Sequence, residues 1–94
     1  MIQAAKKYIV AFTHAQARHF AQSMDWVRSE WEYVNPRNPK PSLAGMYNLI
    51  VYDVRAPRYR PVGGEGADME RLQAELQIMV SSGRIGRLNV VNLP

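Results

Sequence analysis

The stretch Tyr8-Ile9-Val10-Ala11-Phe12-Thr13-His14-Ala15-Gln16 decides the fold of this 94-residue chain. Its first five residues form a continuous apolar run that is too short for a helix and is typical of a strand covered on both faces. Thr13 and Gln16 then have the spacing of a capping box, in which a hydroxyl and an amide side chain satisfy free backbone donors at a helix start. The sequence therefore predicts a buried strand that leads directly into a first helix over 14–24.

A second apolar run at 48–54 predicts another buried strand. A second helix is predicted to begin near Asp68, a good N-cap residue, and to end before Gly83, where a helix-terminating glycine belongs. Partly alternating segments at 31–34 and 87–93 are typical of edge strands. The order along the chain is therefore strand, helix, strand, strand, helix, strand.

Two buried strands between two edge strands indicate a four-stranded, mainly parallel sheet in the order 2-1-3-4. Right-handed crossovers that run in opposite directions from the centre put helices on both faces of the sheet. We therefore predict a small α/β domain over 1–94, a Rossmann-like three-layer sandwich. The alternative is a ferredoxin-like α+β fold, which uses the same elements in an antiparallel sheet whose strands should alternate. The unbroken apolar runs favour the parallel sheet.

Composition excludes several classes of protein. With 47% hydrophobic and 21% charged residues the chain has the apolar content of a globular domain. The absence of cysteine excludes disulfide frameworks, thiolate zinc sites and cysteine catalysis. No apolar run approaches the roughly 20 residues that span a bilayer, and no signal peptide opens the chain. We expect a cytoplasmic protein with no membrane partner.

The usual catalytic patterns are missing. There is no Gly-x-x-x-x-Gly-Lys-Ser/Thr loop after the first strand, where phosphate hydrolysis would need it. His14 and His19 are five residues apart and do not form a metal-binding pair on one helix face. We therefore expect a protein that is not an enzyme and has neither a metal nor a cofactor.

A candidate anion site follows from the predicted topology. Ligands of open α/β sheets bind beyond the carboxyl ends of the strands, where the winding direction reverses. That point lies between the first and third strands. Thr13 and His14 come at the end of the first strand, and Asp53 and Arg55 come at the end of the third. We expect these four residues to converge, because helix N-terminal N–H groups and an arginine fork both suit a phosphate.

The element order and sheet order resemble the BRCT domain, an α/β module that recognises phosphorylated peptides and DNA ends. In that family a Ser or Thr directly after the first strand contacts phosphate, and Thr13 stands at the matching place. No glycine follows Thr13 and no lysine opens the second helix, unlike the family pattern. The resemblance covers topology alone, and it implies a BRCT-like sandwich with phosphate near Thr13.

Two functions remain open at this point. The net charge of +4 and the clustered basic residues predict binding of a phosphate-bearing partner, nucleic acid first among them. The residues assigned to it are Arg37, Lys40, Arg55, Arg58, Tyr59 and Arg60, with Tyr59 as a ring for stacking on a base.

The alternative is a protein–protein interaction module, an accessory or phage-type protein that engages a host protein. Its basis is the set of large rings at Trp26, Trp31, Tyr33, Tyr47 and Tyr52. Both predicted edge strands lack a central proline or lysine, which also favours self-association.

Overall fold

In the computed structural model, which describes residues 6–38 and 48–93, helices and strands follow one another in the predicted order. The elements are β1 (Lys7–Val10), α1 (His14–Ser23), β2 (Trp31–Val34), β3 (Leu49–Arg55), α2 (Glu65–Ser81) and β4 (Ile85–Asn92), with a 3-10 turn at Arg28–Glu30. Within these described ranges, no helix has the length and apolar character needed to cross a bilayer.

The four strands form one sheet in the order β2-β1-β3-β4, and every pair is parallel. Ile9 of β1 lies opposite Tyr33 of β2 on one side and Tyr52 of β3 on the other. The predicted topology is confirmed, and the ferredoxin-like alternative is wrong because that fold requires antiparallel neighbours. The two apolar runs are indeed the central strands, which explains why they lack alternation.

The helices cover opposite faces of the sheet, so the domain has two cores. Side chains alternate along β3, and its even and odd positions therefore face different helices. Phe20 of α1 and Leu76 of α2, which are 6% and 1% exposed, lie in separate cores as predicted. The α1-side core includes Ile9, Ala17, Trp31 and Val54, and the α2-side core includes Val10, Val51, Met69 and Leu72.

Helix α1 starts where the capping pattern predicts. The Gln16 backbone N–H donates to the Thr13 hydroxyl at 3.2 Å, which is one half of the capping box. The other half is missing, since the Gln16 Oε1 atom is buried and has no hydrogen-bond partner among the described residues. The Thr13 hydroxyl is therefore the side-chain cap of this helix.

Helix α2 begins at Glu65, three residues before the predicted start, so the prediction of Asp68 as N-cap is wrong. The Asp68 backbone N–H donates to the Gly64 carbonyl at 3.0 Å and is already part of the helix. Glu65 and Asp68 instead put negative charge in the first turn, which the helix dipole favours. The predicted end is confirmed, because Gly83 has a φ of +79° directly after the C-cap Ser82.

Candidate functional site

A groove of about 530 Å³ opens at the carboxyl edge of the sheet. It lies between the N-terminal half of α2 and the loop that follows β3. Phe12, from the link after β1, and Arg55, at the end of β3, both line it. The groove therefore stands beside the point where the winding direction reverses, as expected for an open parallel sheet.

A buried carboxylate holds an arginine at this groove. Asp53 is 3% exposed, and its Oδ2 atom accepts hydrogen bonds from Arg55 Nε at 3.3 Å and Arg55 Nη2 at 3.2 Å. The two residues are two apart on β3 and therefore point to the same face of the sheet. The side chain of Gln73, on α2, donates to both Asp53 oxygens at 3.4 Å. Asp53 is thus satisfied on two sides, as a buried charge must be.

Arg55 keeps donors free on its outer side. Its side chain is 48% exposed, and Nη1 makes no hydrogen bond to any residue in the described part of the chain. Because Asp53 takes up Nε and one hydrogen of Nη2, the guanidinium is oriented with its remaining donors away from the carboxylate. Glu70 also lines the groove, so its α2 wall carries negative charge.

Tyr59 closes the groove from the loop. Its ring stacks on Phe12 with centroids 5.1 Å apart, and its hydroxyl donates to Glu65 Oε2 at 2.8 Å. The hydrogen bond to Glu65, with a smaller contribution from burial, raises the pKa of Tyr59 above the ordinary tyrosine value. One face of the ring is therefore covered, and a base could stack only on the other.

The remaining predicted basic residues differ in how they are paired. Arg58 and Arg60 are exposed, and neither makes an ion pair with any carboxylate in the described ranges. Arg37 is exposed too, but its Nε lies 3.7 Å from Asp68 Oδ2 on α2. Lys40 and Tyr47 lie outside the described residues.

His14 is separated from the groove by the sheet. Its ring meets Tyr33 edge-on at 5.3 Å and lies 5.7 Å from the ring of Trp31, both on β2. Those rings belong to the α1-side core, whereas Asp53 accepts from Gln73 of α2 and Arg55 lines the groove on that side. The structure brings Asp53 and Arg55 together but leaves the His14 side chain on the other face. Thr13, His14, Asp53 and Arg55 therefore do not all converge as expected, because the His14 ring packs against Trp31 and Tyr33 on the α1 side of the sheet.

Sequence reasoning also missed Gln73. This residue follows Met69 by four positions and Leu72 by one, so it belongs to the apolar stripe of α2. A polar side chain on a buried stripe needs a partner, and that signal could have identified Gln73 as the partner of a buried strand residue.

The described ranges hold no cluster of three His, Asp or Glu side chains suited to a metal ion. Comparison with protein-family models, curated proteins and solved structures gives no match. The geometry and charge of the chain itself therefore carry the functional argument.

Proposed function

We propose that this chain is a small binding domain, without enzymatic activity, that recognises a phosphate-bearing partner through the loop after β3. The observation that carries the proposal is the orientation of Arg55 by the buried Asp53, which is itself held by Gln73. A guanidinium fixed in this way loses little side-chain entropy when it binds, and its free donors match a phosphate.

Arg58 and Arg60 extend the basic surface along the same loop. Both are exposed and unpaired within the described residues, so a polyanion meets no competing carboxylate at them. Glu70 repels phosphate on the α2 wall, and we therefore expect the phosphates to lie on the loop side of the groove. Nucleic acid is the partner that best fits several arginines in a row, and it would be met in the cytoplasm.

The experiment is binding of a fluorescently labelled single-stranded oligonucleotide, followed by anisotropy at several salt concentrations. Arg55→Gln, Arg58→Gln and Arg60→Gln should each weaken binding. Each should also reduce the salt slope by about 0.7 for every phosphate that the variant no longer binds. Arg87→Gln is the matched control, because Arg87 is exposed and pairs in register with Ile50 near the other end of β3.

Equal effects of Arg55→Gln and Arg87→Gln would overturn the proposal, since they would reduce it to net charge. Binding that does not depend on salt would overturn it as well.

The protein-interaction alternative loses most of its basis in the structure. Trp31 is 2% exposed. Trp26 and Tyr52 contact each other with centroids 4.9 Å apart, and both contact Phe20. These rings pack in the α1-side core, whereas the sequence alone leaves open that they contact a partner protein. A host-protein partner, as a phage-type accessory protein would have, is therefore the second choice.

A further inference from the structure

A second groove, of about 280 Å³, lies on the opposite face of the sheet from the site proposed above. It runs between α1 and the amino end of β2, and the two grooves share no lining residue. His14 and Arg18 line it from α1, where their spacing of four puts them on one face of the helix. Trp26, Arg28 and Trp31 form its other side.

Arg28 is held in a defined position in this groove. Its guanidinium carbon lies over the Trp31 ring, 4.4 Å from the centroid, and Nη1 donates to the Trp31 carbonyl at 2.8 Å. Trp31 is buried beneath it, whereas Arg28 itself is exposed. One face of the guanidinium therefore rests on an indole, and the exposed side chain lines the groove. Exposed guanidinium planes are surfaces on which nucleic-acid bases stack.

The charge of this groove is one-sided. No residue that lines it in the described part of the chain is acidic, in contrast to the first groove with Glu70. The neighbouring acids on the β2 side have basic partners elsewhere: Glu30 lies 3.5 Å from Lys7 and Glu32 lies 3.7 Å from Lys6. Arg18 and Arg28 therefore present their charge to the groove without competition.

We propose that this groove binds a nucleotide unit, with the base stacked on Arg28 and the phosphate bound by Arg18 and His14. Free nucleotides and single-stranded nucleic acid share this chemistry. The inference does not rest on the function proposed above, because the residues and the face of the sheet are different.

The chain provides its own reporter for this site. Its two tryptophans, Trp26 and Trp31, both line the groove. We expect AMP to change the tryptophan fluorescence saturably, with excitation at a wavelength that the nucleotide does not absorb. Adenosine, which lacks the phosphate, and inorganic phosphate, which lacks the base, should both bind at least tenfold more weakly. A short oligo-dA tested in parallel distinguishes the sources, since tighter binding of the oligonucleotide than of AMP assigns the site to single strands.

Substitutions test the residues assigned to this groove. Arg18→Gln should weaken AMP binding about tenfold, as expected when a charged hydrogen bond to the phosphate is removed. Arg28→Gln should also weaken it about tenfold, because the base loses the surface on which it stacks. Arg28→Lys keeps the charge but removes the planar surface, so the advantage of AMP over inorganic phosphate should largely disappear. Arg87→Gln, at an exposed position that lines neither groove, should leave AMP binding unchanged. Circular dichroism of each variant checks that the fold is retained.

Three results would overturn the inference. The first is the absence of any fluorescence change with AMP and with oligo-dA. The second is equal weakening by Arg28→Gln and Arg87→Gln in folded protein. The third is an undiminished preference for AMP over phosphate in Arg28→Lys.

Discussion

Replacing Leu76 with alanine should lower the free energy of unfolding by about 3 kcal/mol. Leu76 is 1% exposed and packs in the α2-side core with Met69 and Leu72. The three carbons removed contribute about 0.8 kcal/mol each on transfer from water, and incomplete collapse of the cavity raises the cost further. A chain of this length has a total stability of roughly 5–14 kcal/mol, so the variant should still fold.

Urea unfolding followed by circular dichroism measures this change. With a slope of about 1.5 kcal/mol per molar urea, the midpoint should fall by about 2 M. Ile78→Ala is the matched control on the same helix, since Ile78 is 68% exposed and should change stability by less than about 0.5 kcal/mol. Equal losses in the two variants would refute the assigned face of α2, and with it the contact between Gln73 and Asp53.

Three further predictions test other parts of the molecule. Glu65→Gln should lower the raised pKa of Tyr59, measured by an absorbance titration in which Tyr59→Phe identifies the Tyr59 signal. An unchanged titration curve in Glu65→Gln would show that the hydrogen bond to Glu65 is not the cause of the raised pKa. Because the pKa is raised on folding, the stability from this hydrogen bond is full below about pH 10 and disappears as the pH rises further. Gly83→Ala should cost about 1 kcal/mol because φ is +79° there, while Gly64→Ala, at a φ of −92°, should cost less in the same urea assay. We expect the edge strand β4 to pair with a second copy of the chain, so light scattering at high protein concentration should give the mass of a dimer. Val90→Lys, at a half-exposed position of β4, should convert the dimer to monomer, and a monomeric parent protein would refute the prediction.

The topology could be predicted from the sequence because its evidence is local. An apolar run such as 8–12 has no polar face, which only a strand covered on both sides tolerates. The threonine that follows it can satisfy a backbone donor of the next helix, so a few consecutive residues are enough to predict where the strand ends and the helix begins. The start of α2 was harder to place, because Asp68 is suitable both as a cap and in a first turn.

The candidate site could be predicted only in part. Asp53 and Arg55 are two residues apart on one strand, and their contact follows from the geometry of that strand. The sequence also indicated the edge of the sheet at which a groove forms. It did not indicate that Gln73 reaches Asp53 from 20 residues away or that Phe12 supports Tyr59, because these contacts join separate elements.

The sequence by itself thus determined the order of strands and helices, which strands are central, and which apolar residues of α1 and α2 face the sheet. The tertiary structure decided which face each polar residue occupies, and so separated His14 from Arg55 and gathered His14, Arg18 and Arg28 around Trp31. The physical reason is that periodicity records how much of a side chain is removed from water. It does not record which element removes it, since any apolar surface satisfies the hydrophobic effect equally well.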